Sequence, residues 1–213
     1  MRTKTLLLTA ALCAAGIATS KAQAVYSVNA VGYVNTSLVA GYNLISNPLD
    51  NKATDGNQVK NLFASLPAGG QIFVFDGTKY ALASVDEFSG EITGDAATKV
   101  IAPGNGVFVH VDGPATITFV GEVPAGSLSN PVPAGFSIKA SQVPQAGKVS
   151  TDLGFPADEG DQVFIYNPAT GKYATSNYSF GAWDTEPTLD VGQAAFFRVD
   201  TAHNWTRSFD ISK

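Results

Sequence analysis

Sulfur-containing side chains are almost absent from this sequence, which has one cysteine and one methionine among its 213 residues. Both residues, Met1 and Cys13, lie in the N-terminal segment described below. Once that segment is removed, the chain has no disulfide and no thiol, so its fold must depend on burial of the core alone. We therefore expect no thiol chemistry and no cofactor.

Charged residues are also few, at 15% of the chain, and their balance is negative, with a net charge of −5. Removal of Arg2, Lys4 and Lys21 with the N-terminal segment would leave 10 basic residues against 18 acidic ones, a net charge of −8. An acidic surface disfavours phosphate backbones and anionic lipid, because binding either would gather negative charge. Nucleic acid and anionic membranes are therefore excluded as partners.

No apolar run is long enough to span a bilayer, which takes about 20 residues in a helix. The run Leu6–Ile17 follows the basic residues Arg2 and Lys4 and precedes the small-x-small sequence Ala22–Ala24. These three parts are typical of a secretory signal peptide. We predict that residues 1–24 are a signal peptide and that the protein is exported to the periplasm, the cell surface or the extracellular space.

An uncleaved anchor and a lipoprotein signal are the alternatives for this segment. The anchor would need a basic amphipathic face, which the segment does not have. A lipoprotein signal normally has a small residue immediately before its cysteine, whereas Leu12 precedes Cys13.

An internal repeat organises the rest of the chain. Four segments recur in the same order 88 to 94 residues later, which indicates a duplicated module. The recurring positions are mainly glycine, proline, apolar and aromatic residues, which specify a fold and no reaction. We predict β module one over residues 25–126 and β module two over residues 127–213. The matched segments are 40–45 with 134–139, 71–75 with 162–166, 79–80 with 172–173, and 104–112 with 192–200.

A further strand motif occurs at residues 28–34 and 117–123, with a looser third copy at 206–211. The simplest arrangement lets the middle copy end module one and open module two. The boundary would then lie near residues 123–133, where prolines and glycines cluster as breakers.

Short β-branched or aromatic segments bounded by turn residues predict strands throughout. Asp76-Gly77 indicates a hairpin, and residues 59–66 have helical apolar spacing after the possible caps Asp55 and Asn57. We predict an all-β protein with two tandem sandwich-like or barrel-like modules and at most one short helix in each. The clearest predicted strands are Gln71–Asp76, Gly106–Asp112, Ala115–Val120, Gln162–Tyr166 and Ala195–Asp200.

The amino-acid sequences of several segments resemble those of a group of exported β-rich proteins of verrucomicrobial and planctomycete-type bacteria. The resemblance covers essentially all of the chain after the signal peptide, and it implies a bacterial envelope or extracellular setting. It implies no activity, catalytic residue or cofactor. The segments are VYSVNAVGYVN (25–35), NPLDN (47–51), TFVGEVPAGSLSNPVPAGFSIKASQVPQAG (118–147), VGQAAFFRVD (191–200) and WTRSF (205–209).

Oxygen ligands crowd one short loop in module one. Asp50, Asn51, Asp55 and Asn57 fall within eight residues, a density that Ca²⁺ sites favour. The spacing is not that of a helix-loop-helix calcium site, and the second copy has no acids there. The alternative is that these side chains cap turns and the following helix.

Aromatic residues crowd a glycine-containing stretch of module two. Tyr178, Phe180 and Trp183 precede Asp184, and exposed rings beside carboxylates suit sugars, since pyranose C–H faces pack on rings while hydroxyls bond to acids. These four residues are a candidate carbohydrate-binding site. The alternative is that the rings plug one end of a sandwich.

Histidine is too sparse for a catalytic or zinc site, because the two histidines have no partners at the required spacing. We expect His110 to face solvent on its strand, where the second copy has Arg198, and His203 to lie in a hairpin turn. The carboxylate clusters lie in turn-rich sequence, where solvated acids are the rule. We therefore expect no enzymatic activity.

The sequence thus predicts a secreted, non-enzymatic structural or interaction protein of the bacterial envelope or extracellular space. The alternative is a carbohydrate-binding module that uses the aromatic residues of module two. Extracellular polysaccharide and other envelope proteins are the candidate partners. The first strand of module one and the last strand of module two are candidate open edges for self-association.

Overall fold

The computed structural model describes residues 30–211, and in this range the chain is almost wholly antiparallel β-structure in paired sheets. This confirms the predicted all-β class with sandwich-like modules; the sheets are not closed into barrels. The predicted signal peptide, residues 1–24, lies outside the described residues. Among the described residues, no helix has the length and apolar character needed to cross a membrane.

The first half of the described chain forms one five-stranded sheet and one two-stranded ribbon. The sheet has the order β2-β6-β3-β4-β5, and the ribbon pairs β1 with β7. The elements are β1 (Val31–Leu38), β2 (Gly41–Ser46), helix α1 (Val59–Leu62), β3 (Gln71–Phe75), β4 (Tyr80–Val85), β5 (Ile92–Thr93), β6 (Gly106–Val111) and β7 (Ala115–Glu122).

The second half repeats this arrangement. Its sheet has the order β9-β15-β11-β12-β13, its ribbon pairs β8 with β16, and β10 pairs with β14 as an additional short ladder. The elements are β8 (Gly126–Val132), β9 (Gly135–Lys139), β10 (Gly147–Lys148), β11 (Gln162–Asn167), β12 (Lys172–Ser179), β13 (Ala182–Trp183), β14 (Thr188–Leu189), β15 (Ala195–Val199) and β16 (His203–Phe209).

Strand register also agrees between the halves. Gln71 of β3 lies opposite His110 of β6, and the equivalent Gln162 of β11 lies opposite Arg198 of β15. The expectation that one strand ends the first module and opens the second is wrong, because β7 pairs with β1 whereas β8 pairs with β16. Strand β8 contains Pro131, which is tolerated because this strand has a neighbour on one side only.

Each half has its own apolar core between its sheet and its ribbon. In the first half, the valines of β6 alternate inward, so Val107 and Val109 are fully buried against Ile117 and Phe119 of β7. In the second half, Trp205 of the ribbon packs in the same way on the sheet. The alternation leaves the other face of each sheet free for a second contact.

Two local predictions from the sequence need correction. The hairpin at Asp76-Gly77 is confirmed, but its loop has the four residues 76–79, with Asp76 accepting backbone N–H bonds from Thr78 and Lys79. Helix α1 is confirmed as a single turn, and neither Asp55 nor Asn57 caps it. Its N-cap is Gln58, whose side chain makes no capping bond.

The two sheets join through reciprocal backbone pairing, which we call the junction. Ser46 N–H of β2 donates to Gly192 O before β15 (2.8 Å), and the equivalent Ala140 N–H donates to Gly104 O before β6 (2.9 Å). Isolated β-bridges also pair Ile45 with Gln193 and Asn105 with Lys139. Such reciprocity is the property of a twofold-symmetric contact. The two halves are therefore related by an approximate twofold axis.

Glycine is required at residues 104 and 192 of the junction. Both have left-handed backbones, with φ of +90° and +79°, respectively. A Cβ atom would lie 2.5 Å from Asn130 Nδ2 at residue 104 and 2.7 Å from Thr36 Oγ1 at residue 192. At both positions, the left-handed backbone and the close neighbouring side chain each disfavour any residue larger than glycine.

The proposed open edges, β1 and β16, are each paired on one side only in the described chain. The outer surface of β1 exposes Val31 (68%) and Tyr33 (72%). Self-association through these strands stays a prediction, as do the module limits 25–126 and 127–213.

Gly106 offers a direct mutational test of the junction. A Cβ atom there would lie 2.3 Å from Ala194 Cβ and 2.6 Å from Ile138 Cγ2, both in the second half. We expect Gly106→Ala to lower the free energy of unfolding by about 1–3 kcal/mol through overpacking. Gly113→Ala is the control, since no atom lies within 4 Å of its Cβ position. Urea unfolding measures both, and equal stability of the two variants would contradict the close approach at the axis.

Candidate functional site

Aromatic rings occupy the face of each sheet that is turned away from its own core. Their positions are equivalent in the two halves by strand register. We call this set of ten rings the aromatic cleft. It consists of five pairs, Tyr42 and Phe136, Phe73 and Phe164, Phe75 and Tyr166, Tyr80 and Tyr173, and Phe108 and Phe196.

The rings nearest the axis pack across it and form a third apolar core. Phe108 lies 5.3 Å from Tyr166 between ring centroids, and the equivalent pair, Phe196 and Phe75, lies 5.6 Å apart. Phe108 and Phe196 also contact each other at 6.0 Å. Centroid separations of this size are favourable aromatic contacts. The two sheets are thus held face to face by rings as well as by the backbone pairing.

Beside this third core, the two faces leave open space. One half of the cleft has a cavity volume of ≈ 350 Å³ and the other ≈ 310 Å³. Tyr80 and Tyr173 line both cavities, so they stand where the two halves meet. Volumes of this size suit small ligands or single units of a chain.

Exposure differs between the rings of the third core and the other rings of the cleft. Phe108 is 8% exposed, whereas Tyr42, Tyr80, Phe136 and Tyr173 are 45–46% exposed. Half-exposed rings can bind a ligand on one side while the protein packs on the other. The half-exposed rings are therefore the ones available for contact with a ligand.

The cleft is electrically neutral in its interior. Burial, together with Tyr173 nearby, raises the pKa of Tyr80 to about 12, and burial and Tyr166 raise the pKa of Tyr173. Both phenols therefore stay protonated at neutral pH. Among the described residues that line the two cavities, none is aspartate or glutamate. Arg198, at the rim, is paired with Asp200 at 2.8 Å.

The sequence did not indicate the role of His110. We expected it to face solvent, but its ring lies 4.8 Å from that of Tyr42, and the side chain is 29% exposed at the rim of the cleft. The strand pattern placed it correctly opposite the buried valines. It could not show that a second sheet lies over that face.

The aromatic site predicted in the second half is only partly assembled. Tyr178 and Trp183 contact each other at 5.3 Å, but Trp183 packs on the core and donates its Nε1–H to Ser150 Oγ. Phe180 is 99% exposed in the hairpin turn after β12, apart from the other two rings. Asp184 accepts hydrogen bonds from the side-chain amide and the backbone N–H of Asn177 on β12, and these bonds hold its pKa below the usual range. This candidate sugar site stays a prediction.

In the candidate calcium loop, polar groups of the loop bond to one another. Asn57 donates to Asp50 Oδ1 (2.7 Å), and Asn57 Oδ1 accepts from the backbone of Asn51 (3.1 Å). Lys52 binds the other Asp50 oxygen, and Asp55 stands apart with a left-handed φ of 58°. Asn51 Oδ1 also accepts the backbone N–H of Ala53 (3.1 Å), a bond that caps a turn as the alternative expects. The helix capping of that alternative does not occur, and the calcium site stays a prediction. Across residues 30–211, no group of three His, Cys, Asp or Glu side chains is placed to hold a metal ion.

A buried His–Asp pair was not predicted from the sequence. His203 begins β16 and does not lie in a turn, and its Nε2 lies 2.8 Å from Asp161 Oδ2. Asp161 also accepts the backbone N–H of Asp158 (3.0 Å). The His203 ring packs edge-on against Phe155. Since both side chains are more than nine-tenths buried, the pair fixes the β11–β16 corner of the core.

Comparisons of this chain with protein-family models, with curated proteins and with solved structures found no match. The aromatic cleft is therefore the feature from which a function has to be argued. The sequence did contain a signal for it, because the ring pairs recur at matched positions in the two copies. The strand pattern alone indicates fold-specifying positions there, since it does not distinguish a second core from a binding face.

The ionisation of Tyr80 tests the geometry of the cleft. An ordinary tyrosine ionises near pH 10, whereas Tyr80 is expected to ionise near pH 12. Absorbance of tyrosinate against pH should show a late component that Tyr80→Phe removes, and Tyr173→Phe should move that component to lower pH. The control is Tyr33→Phe on the outer ribbon, which should leave the late component in place. A titration without any late component would contradict the packing of the two faces.

Proposed function

We propose that this protein is an exported, non-enzymatic binding protein of the bacterial envelope or extracellular space, and that its aromatic cleft holds a polysaccharide chain. The observation that carries the proposal is the row of half-exposed rings, Tyr42, Tyr80, Phe136 and Tyr173, along one neutral cleft. Carbohydrate binding by module two is the alternative predicted from the sequence. The proposed function keeps carbohydrate binding but locates it between the two halves.

The chemistry of the lining favours a sugar over an entirely apolar ligand. Rings offer flat faces for pyranose C–H groups, and the tyrosine hydroxyls are donors and acceptors for sugar hydroxyls. Gln71 and Gln162 occupy equivalent places at the ends of their strands, beside His110 and Arg198. Gln71 supplies an amide near the rim, whereas Gln162 donates its amide N–H to Asn177 Oδ1 (2.7 Å). A neutral lining also suits an uncharged glycan, since no ionic group has to be desolvated on binding.

The approximate twofold axis favours a ligand made of repeated units. The two cavities have similar volumes and equivalent linings, and they meet at Tyr80 and Tyr173. A glycan with repeated sugars would place equivalent sugar faces on the rings of both cavities. Two weak contacts on one chain add up to a stronger one, because the second contact forms intramolecularly.

A binding role fits the cleft better than hydrolysis. Glycoside hydrolysis uses two carboxyl groups on either side of the scissile bond, and the described lining residues offer none. The equal strand orders of the two halves support duplication of one ancestral module. The cleft would then be a product of the duplication, because each half supplies five of its rings.

Binding to insoluble polysaccharides tests the proposal. We expect the protein to be retained by at least one polymer in a panel that includes β-linked and α-linked glucans, chitin and xylan. Tyr80→Ala should weaken the retention about tenfold, because loss of one stacking ring removes roughly 1–2 kcal/mol.

Phe180→Ala is the matched control, because it removes an exposed ring that lies outside the cleft. It should bind as the unmodified protein does, and melting curves should show that both variants are folded. If Phe180→Ala loses binding while Tyr80→Ala keeps it, the site is the hairpin of the second half. If no polymer in the panel retains the protein, the proposed function is wrong.

A further inference from the structure

A third cavity lies beside the junction, on the side of β9. Its volume is ≈ 280 Å³, and it is lined by residues of both halves. Phe75, Phe136 and Ile138 give it apolar walls, and Ser137 and Lys139 give it polar groups. We call it the Lys139 pocket. Phe136 also lines the aromatic cleft, so the two sites are neighbours.

The amine of Lys139 is buried without an anionic partner. The residue is 8% exposed, and no carboxylate of the described chain lies within ion-pair distance of its Nζ. Nζ donates to two amide oxygens, Asn105 Oδ1 (2.8 Å) and Asn130 Oδ1 (3.3 Å). An ammonium has three donors, so one is left over. Buried charges are normally paired, because desolvation of an unpaired ion is costly.

A second unsatisfied group lies in the same pocket. Ser137 is 7% exposed, and its Oγ has no hydrogen-bond partner. A hydroxyl can donate to an anion, as the ammonium of Lys139 can. One bound anionic group could thus satisfy the Lys139 ammonium and the Ser137 hydroxyl together.

The equivalent pocket of the other half provides an internal comparison. It has a volume of ≈ 320 Å³ and places Ile45 and Asn43 at the positions of Lys139 and Ser137. The Asn43 amide is fully engaged by the backbone of Val39 and Gly41. Both copies contain a buried hydroxyl without a hydrogen-bond partner, Thr36 Oγ1 in one and Ser137 Oγ in the other. Only the second copy also has a buried cation without an anionic partner. Packing does not need the ammonium, since Ile45 occupies the same position in the other copy.

We propose that the Lys139 pocket binds a small organic monocarboxylate, with its carboxylate on the Lys139 ammonium and the Ser137 hydroxyl and its apolar body against Phe75 and Phe136. A single ammonium matches a single negative charge. The apolar walls favour a ligand with a hydrophobic body over inorganic anions.

The surrounding charges are compatible with an anion. Asp76 also lines the pocket, but its carboxylate is turned to the backbone N–H groups of Thr78 and Lys79. Lys99 adds positive charge near Asp76. Burial lowers the pKa of Lys139 to about 8, so the amine is mostly protonated at pH 7 and mostly neutral at pH 10.

Phenylacetate is a suitable probe. Its neutral analogue is 2-phenylethanol, which has a hydroxymethyl group in place of the carboxylate. By calorimetry at pH 7 we expect phenylacetate to bind at least tenfold more tightly than 2-phenylethanol and than inorganic phosphate. The affinity should fall at least tenfold between pH 7 and pH 10, as the amine loses its proton. Equal affinity for the acid and the alcohol, or for the acid at both pH values, would overturn the proposal, as would no binding of phenylacetate.

Variants separate binding from folding. Lys139→Met should lose at least tenfold in affinity for phenylacetate, and a cooperative melting curve should show that the variant is folded even though Asn105 Oδ1 and Asn130 Oδ1 lose a donor. Ser137→Ala should weaken binding several-fold, and Lys60→Met, on exposed helix surface, should change nothing. Unchanged affinity in Lys139→Met would overturn the proposal. Polysaccharide retention by Lys139→Met should be normal, so failure here is distinguishable from failure of the proposed function.

Discussion

Four backbone groups at the junction hold the molecule in its shape. The amides of Ser46 and Ala140 each donate to the carbonyl of a glycine in the opposite half, Gly192 and Gly104. These bonds cover the outer edges of β2 and β9, which would otherwise present unpaired groups to solvent. They also set the two sheets face to face. The third core, the aromatic cleft and the Lys139 pocket all depend on that placement.

The junction also explains why each sheet is apolar on both faces. One face closes over the ribbon of its own half, and the other meets the opposite sheet. Rings such as Phe108 and Phe196 are suited to the second face, because they bury much area and accept edge-on contacts. Around Phe108 and Phe196 this face is core, and around the half-exposed rings it opens into the cleft. The departures from symmetry, such as Lys139 in place of Ile45, lie at the positions where function is proposed.

Much of the fold could be predicted from the sequence, because its signals are local. Strands such as β6 and β15 follow from alternation and turn residues, and the recurrence of segments indicated two similar halves. Strand β8 was missed because Pro131 lies inside it, and this is acceptable only at an edge. The cleft was missed because it needs two sheets to meet. A strand pattern shows which residues share a face, but it cannot show what lies opposite that face.

Hydrogen exchange at two amides tests the central claim most directly. If the reciprocal pairing exists in solution, the N–H groups of Ser46 and Ala140 should exchange with deuterium as slowly as the central amides of β6 and β15, because they open only with the whole structure. The two rates should also be similar to each other. Exchange of either amide as fast as that of an unbonded loop amide would contradict the junction, and with it the cleft.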